Sequence, residues 1–287
     1  MNLSHLLKNE KAGVQNCPEC GGAGIILEEV VDNSRTPRLS VCLCVRENCY
    51  ICPSNGKPPY LVYDEPQNKM IPCFCHHARL LSGKIDRKLN SSNIPPKYRY
   101  KFLESVNLKG PDPLSLLAAH DWARDLIENF SDMSKIPQGM YLTGSPGTGK
   151  TLLACVIINE LIFRYGTECR YAKINKDFLN ALKDTYQKES DFYGKEKNIE
   201  DQFADVDVLV IDDFGVQKDT EWANAKLYDL IDSRYERQKL TLLTSNQPLL
   251  DWKDKAEGRV YSRLCEMAKE IRLECPDYRL RFINGQR

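Results

Sequence analysis

Residues 144–151 read GSPGTGKT, that is Gly144, Ser145, Pro146, Gly147, Thr148, Gly149, Lys150 and Thr151. They satisfy every constrained position of G-x-x-x-x-G-K-[ST], a loop that wraps phosphate. The flanks fit as well: Met140-Tyr141-Leu142-Thr143 is a short apolar strand candidate, and the run Leu152 to Phe163 has the length of a helix. Glycine at 144, 147 and 149 lets the backbone curl without Cβ clashes, so successive N–H groups and a helix N-terminus point at phosphate oxygens. In such a loop Lys150 reaches the β- and γ-phosphates and the Thr151 hydroxyl holds Mg²⁺.

Downstream, the apolar stretch Val206-Asp-Val-Leu-Val-Ile211 ends in Asp212-Asp213. A buried strand ending in paired acids is the expected partner of a phosphate loop, with Asp212 holding Mg²⁺ through water and Asp213 polarising the attacking water. Thr244-Ser245-Asn246 closes the strand candidate Leu240 to Thr244, and an amide there positions that water, which makes Asn246 the sensor candidate. Further strands are expected at Arg170 to Ile174 and near Glu270 to Leu273. Helices are expected from Leu114 to Phe130, Lys176 to Lys188, Glu221 to Gln238 and around Gly258 to Ala268. Strands alternating with helices predict an α/β fold with a mainly parallel sheet covered on both faces.

Of 12 cysteines, eight fall between residues 17 and 75 in close pairs. Cys17-x-x-Cys20 is followed by Cys42-x-Cys44, and Cys49-x-x-Cys52 by Cys73-x-Cys75, so the second set repeats the first 31 or 32 positions on. Two close pairs joined by a hairpin supply four thiolates in tetrahedral array, which predicts two structural Zn²⁺ sites. The small residues of Cys20-Gly-Gly-Ala-Gly24 suit the knuckle turn after a ligand pair. His76 and His77 adjoin the last pair, but the cysteine repeat is complete without them. Between this segment and the phosphate loop, Leu80 to Pro113 is expected to be a connector, because Asn90-Ser-Ser-Asn93 and Pro95-Pro96 break helices. Its basic aromatic patch, Lys97-Tyr-Arg-Tyr-Lys101, suits contact with phosphate or stacking on a base, but the reading preferred is a strap packed on the next domain. The organisation expected is a zinc-binding domain over 1–82, a linker or strap over 83–113 and an ATPase domain over 114–287.

The length suits about two domains. Lys plus Arg and Asp plus Glu both number 40, so bulk charge does not mark a strongly basic nucleic-acid binder. Residues Met1 to Lys11 are polar, and no stretch approaches the ~20 apolar residues of a membrane span. A cytoplasmic protein is the expectation, with no membrane partner, and crowded cysteines there favour metal over disulfides.

The stretch from about Ile94 to Arg287 resembles the AAA+ ATPases of the DnaC/DnaI helicase-loader family, which are similar in turn to the IstB transposition helpers. The residues that carry the resemblance are Ile94-Pro-Pro-Lys-Tyr-Arg99, Gly144 to Thr151, Val210-Ile-Asp-Asp-Phe-Gly215, Arg234-Tyr235, Thr244-Ser-Asn246 and Gly258-Arg-Val-Tyr-Ser-Arg263. The resemblance implies ATP hydrolysis at subunit interfaces of a ring or spiral oligomer, with a replicative DNA helicase and single-stranded DNA as partners. It implies that Arg263 is the arginine finger and Arg259 an associated ATP-binding arginine, whereas spacing alone suits a helix-surface ion pair of Arg263 with Glu266 or Glu257. It implies a channel-lining role for Lys176 to Lys188, although Phe178, Leu179 and Leu182 equally suit an ordinary packed helix. Arg279 and Arg281 match a second sensor. The N-terminal segment departs from the family pattern, since loaders of this kind show one CxxC…CxC set and this chain shows two. Two further functions stay open: a transposition helper ATPase, and a zinc-dependent adaptor that binds nucleotide without turnover.

Overall fold

A computed structural model describes residues 1–29, 37–47, 49, 58–108, 114–132, 139–187, 194–216, 220–253 and 258–278. The chain divides into two compact units, residues 1–90 with 162–166, and residues 91–161 with 167–287.

The first unit is a structural repeat. Strands β1 (Ile25–Glu28) and β2 (Arg38–Val41) form one antiparallel hairpin, and Cys42 follows directly before the short helix α1 (Leu43–Glu47). Strands β3 (Leu61–Asp64) and β4 (Lys69–Pro72) form a second, and Cys73 and Cys75 follow before helix α2 (His76–Ser91). Hairpins of four-residue strands are too small to stand alone in water, so something besides apolar burial has to staple them. Gly24 enters β1 at φ +76°, and a Cβ there would stand 2.5 Å from the Ala12 carbonyl oxygen, which explains the small residues after Cys20. Helix α2 corrects the expectation of a connector from Leu80. Its buried residues Ala78, Leu81, Ile85 and Leu89 recur at three and four and extend the helix to Ser91, where the Asn-Ser-Ser-Asn punctuation does end it.

The second unit carries helix α3 (Leu114–Glu128), β5 (Gly139–Gly144), α4 (Lys150–Tyr165), β6 (Cys169–Lys173), a π-turn over Ile174–Leu179 leading into α5 (Asn180–Asp184), α6 (Glu196–Asp205), β7 (Val208–Asp212), α7 (Glu221–Glu236), β8 (Leu240–Thr244), α8 (Arg259–Met267) and β9 (Ala268–Leu273). The five strands form one parallel sheet in the order β6-β7-β8-β5-β9. Strands β7 and β8 are buried at every position, as a parallel sheet covered on both faces requires. On one face Tyr141, Leu209, Ile211 and Leu243 join Leu227, Ile231, Val260 and Leu264 of α7 and α8 in one apolar core. Residues of the other parity, including Tyr171, Val210, Asp212 and Thr244, face the opposite side.

Helix α6 was not expected from the sequence, and α5 ends at Asp184 rather than continuing to Lys188, which lies outside the described residues. Phe178, Leu179 and Leu182 are buried in the core, and Lys183 lies over the Trp222 ring, 5.3 Å from its centroid. The segment is therefore packed into the core through these residues. Residues Ser92 to Leu103 pack on the rest of this unit: Asn159 of α4 donates to the carbonyls of Tyr98 and Lys101, Glu160 accepts from Leu103 N–H, and Tyr171 N–H donates to Ser92 O at 2.7 Å.

Arg234 is fully buried and serves as an internal clamp. Its guanidinium donates to the carbonyls of Phe203, Ala204, Val206 and Leu240 and to the Thr241 hydroxyl, tying α6 and α7 to β8. Burial pulls its pKa down to about 9, which still leaves it charged at neutral pH, and the acceptors around it are the compensation that a buried charge needs.

Candidate nucleotide site

The parallel register brings several strand ends to one edge. Lys173 pairs with Asp212 across β6 and β7, and Leu142 pairs with Thr244 across β5 and β8, so Gly144 and Asn246, each two residues further on, leave the sheet at the same level. The phosphate loop connects β5 to the start of α4 at Lys150. Its glycines adopt φ of +137° at 144, +83° at 147 and +97° at 149, conformations that L side chains rarely take. Lys150 folds over its own loop, with Nζ donating to Gly144 O at 2.7 Å and Ser145 O at 2.8 Å. Thr148 Oγ1 donates to Ser145 O at 3.0 Å.

Asp212 is the hub of the edge. Thr151 Oγ1 donates to its Oδ1 at 2.8 Å, Thr244 Oγ1 to the same oxygen at 2.6 Å, and Tyr171 Oη to Oδ2 at 2.6 Å. The carboxylate is 2 % exposed, so these donors replace the water it lost. Thr244 Oγ1 also accepts from Asp213 N–H at 3.2 Å, holding Asp213 in a left-handed turn at φ +59°. The turn throws the Asp213 side chain outward, half exposed and 3.5 Å from Lys173 Nζ. Asn246 is exposed at the adjoining strand tip. Ser245 between them is pinned, its N–H to Leu142 O and its hydroxyl to Phe214 O.

The oxygen donors fit Mg²⁺ by chemistry, since Thr151 and Asp212 offer a hydroxyl and a carboxylate side by side at the mouth of a phosphate loop. Burial first, then the bond to Asp212, pushes the Tyr171 phenol far above its ordinary pKa, so it remains a donor. Burial and the Asp212 charge likewise keep Cys155 a thiol.

Two residues at this edge were not singled out from the sequence. Tyr171 sits two residue pairs below Asp212 on the neighbouring strand, and only the register shows it. Asp277 lies against the loop: Tyr278 N–H donates to Gly147 O at 3.1 Å, and a Cβ on Gly147 would stand 1.9 Å from Asp277 Oδ1. Arg279 and Arg281 lie outside the described residues.

Arg259 and Arg263 of α8 engage α7. Arg263 Nε donates to Asp232 Oδ1 at 2.8 Å and its guanidinium lies over the Tyr235 ring, while Arg259 lies over the Tyr228 ring. The ion-pair partner is thus Asp232. Of the two partners suggested by spacing, Glu266 instead accepts from the Tyr235 hydroxyl, and Glu257 lies outside the described residues.

In the first unit the sulfurs of Cys17, Cys20, Cys42 and Cys44 all lie within 4.8 Å of one another, with Cys17 to Cys42 at 3.8 Å and Cys20 to Cys44 at 3.6 Å. Four thiolates at Zn–S distances of about 2.3 Å around a tetrahedral centre stand ~3.8 Å apart, so this set fits Zn²⁺. A backbone hydrogen bond from Cys20 holds the Cys17 thiol down at about 7, whereas burial pushes Cys44 up to about 11. Cys49, Cys73 and Cys75 form the corresponding cluster of the second repeat, with Arg79 Nε donating to Cys75 Sγ at 3.2 Å. Their expected fourth member, Cys52, lies outside the described residues. His76 Nδ1 lies 2.9 Å from Pro59 O and His77 Nε2 lies 2.9 Å from Glu10, so both histidines have other partners.

A glycine loop at the tip of a central parallel strand, a helix starting at its lysine and a carboxylate at the tip of a nearby strand define a phosphate-loop ATPase fold of the AAA+ kind. The sequence profile of the IstB-like ATP binding protein family matches residues 123–281, more than half of the chain, and the chain belongs to that family. It is similar to the replicative helicase loader DnaC of Escherichia coli strain K12, 27% identical over 181 residues that make up 63% of this chain and 69% of that protein. The loader DnaC of Buchnera aphidicola subsp. Schizaphis graminum is 25% identical over 224 residues, 75% of this chain and 85% of that protein. The crystal structure of the DnaC helicase loader shares the fold, with a TM-score of 0.53 at 22% identity over 63% of this chain and all of that one. No helix among the described residues is long and apolar enough to cross a membrane.

Proposed function

We propose that this chain is an ATP-hydrolysing loader of a replicative DNA helicase, built as a zinc-stapled docking domain that runs past the expected residue 82 to the end of α2, a strap from there to residue 113 and an AAA+ ATPase domain (114–287). The observation that carries the ATPase part is the convergence of Lys150, Thr151, Asp212 and Asp213 at one sheet edge. The loader assignment rests on the similarity to DnaC over 181 residues of the chain.

In this function Lys150 leaves the carbonyls of Gly144 and Ser145 for the β- and γ-phosphates, where its charge offsets theirs. Thr151 and Asp212 hold Mg²⁺, which when bound spreads and neutralises phosphate charge. Asp213 orients the attacking water and Asn246 senses the γ-phosphate. Arg263 leaves Asp232 to reach the nucleotide of a neighbouring subunit, with Arg259 beside it, so hydrolysis depends on assembly into a ring or spiral. Single-stranded DNA is the substrate around which the assembly closes. The zinc clusters, Cys17, Cys20, Cys42 and Cys44 in one and Cys49, Cys52, Cys73 and Cys75 in the other, shape the surface that meets the helicase.

The match to the IstB-like profile favours one second function, a helper ATPase that binds duplex DNA and a transposase. Affinity capture of the tagged full chain from its own cells decides between them. Recovery of a hexameric helicase supports the loader, and recovery of a transposase in its place overturns it. Phosphate release raised by single-stranded DNA separates both from a nucleotide-binding adaptor.

A further inference from the structure

Tyr171 has no role in the loop or in the pairing of strand-end acids, yet its side chain ends on the central carboxylate. It is 3 % exposed, stands opposite Val210 in the β6–β7 register and shares a sheet face with Asp212, which is two residues nearer the edge. An aromatic side chain is long enough to span that diagonal. Its hydroxyl is the donor to Asp212 Oδ2, while Thr151 and Thr244 both donate to Oδ1. The three donors therefore fix both oxygens and leave acceptor capacity on the carboxylate for a further partner. The Tyr171 backbone is held too: its N–H donates to Ser92 O at 2.7 Å and its carbonyl accepts from Asn93 Nδ2 at 3.2 Å. The strap thus grips the strand position whose side chain grips the carboxylate.

We infer that Tyr171 is the positioning residue for the metal carboxylate, setting the orientation in which Asp212 receives Mg²⁺ with the nucleotide. The inference rests on the ATP site proposed above and adds a residue to it. A donor that orients a metal-binding carboxylate acts on metal affinity, and loss of such a partner lowers that affinity by about 10- to 100-fold. Loss of the hydroxyl leaves the phosphate loop untouched, so affinity for metal-free nucleotide stays the same.

The test is Tyr171→Phe in the full chain, which removes one oxygen and keeps the ring. Affinity for a fluorescent, non-hydrolysable ATP analogue is measured in EDTA and across a Mg²⁺ titration, with thermal melting as the check on folding. The result expected is unchanged affinity in EDTA and half-saturation at about tenfold or more higher Mg²⁺ than in the unmodified protein. Half-saturation within about twofold of the unmodified protein overturns the positioning role while the ATP site stands. Equal loss of affinity with and without Mg²⁺ also overturns it, since that marks a general structural defect. An unmodified protein that binds the analogue without any response to Mg²⁺ overturns the site and the inference together.

Discussion

Arg263 donates through Nε to Asp232 Oδ1 at 2.8 Å, closing α8 onto α7 within one chain. The bond to Asp232 raises the Arg263 pKa further, so the guanidinium is a permanent cation held in reserve at a half-exposed position. As the finger of a neighbouring site it has to exchange that carboxylate for a γ-phosphate. Arg263→Ala is expected to lower phosphate release by about 10³-fold or more, with nucleotide affinity and melting temperature close to the unmodified protein. Normal hydrolysis by the variant rules out the finger role.

Arg234→Met takes the donor away from the carbonyls of Phe203, Ala204 and Leu240, which stay buried. Orphaned buried acceptors cost about 1–3 kcal/mol each, so the variant is expected to lose about 3 kcal/mol or more. Denaturant unfolding measures this, and a loss below about 1 kcal/mol contradicts the clamp.

Lys226 pairs with Glu196 and Glu200 at 2.8 Å each, joining α7 to α6. Burial works against its charge, but the two carboxylates outweigh it and raise its pKa above the ordinary lysine value. Hydrogen bonds from Lys226 and Tyr186 hold Glu196 below its ordinary value of 4.5. A lowered carboxylate stabilises the fold above its unfolded pKa and loses that effect as pH falls through the folded one. A raised lysine does so below its unfolded pKa and loses it as pH rises through the folded one. Melting temperatures of Lys226→Met and the unmodified protein should therefore differ near neutral pH and converge in acid below the carboxylate range. A difference that is constant with pH contradicts the clamp.

The cysteine clusters predict zinc in stoichiometric amount. Elemental analysis of the purified chain is expected to give two Zn²⁺ per chain, and Cys42→Ser one, because each cluster of four thiolates holds one ion. Far-ultraviolet and proteolysis signals from residues 1–82 should change on chelation, since small hairpins lean on their metal. A chain with no zinc refutes the module, and one with a single zinc that survives Cys42→Ser reassigns it to the second cluster.

The parts of the site that are contiguous in sequence were legible there. Gly144 to Thr151 announce themselves because the loop's geometry depends on residues adjacent in the chain, and Asp212 because an apolar run ends abruptly in acids. The gathering of Cys17, Cys20, Cys42 and Cys44, and of Cys49, Cys73 and Cys75, was legible from the 31- and 32-residue repeat alone. Helix α2 was not legible because the helix-breaking Asn90-Ser-Ser-Asn93 masks the Ala78, Leu81, Ile85 and Leu89 stripe before it. Helix α6 was not legible because its buried residues, Ile199, Phe203 and Ala204, are only three in a ten-residue segment that is otherwise polar and charged. Tyr171 and Asp277 are different in kind. One depends on which residue of β6 stands beside Val210, the other on β9 lying next to β5, and neither relation has a local signal.

Nucleotide binding by Lys150→Ala tests the central claim most directly. Calorimetric titration of the full chain with ATP and Mg²⁺ should show saturable binding, and the variant, which keeps the loop's glycines but loses the cation now resting on Gly144 O and Ser145 O, should bind at least about tenfold more weakly. Equal affinity in the two proteins would mean that the triphosphate is not held by this loop.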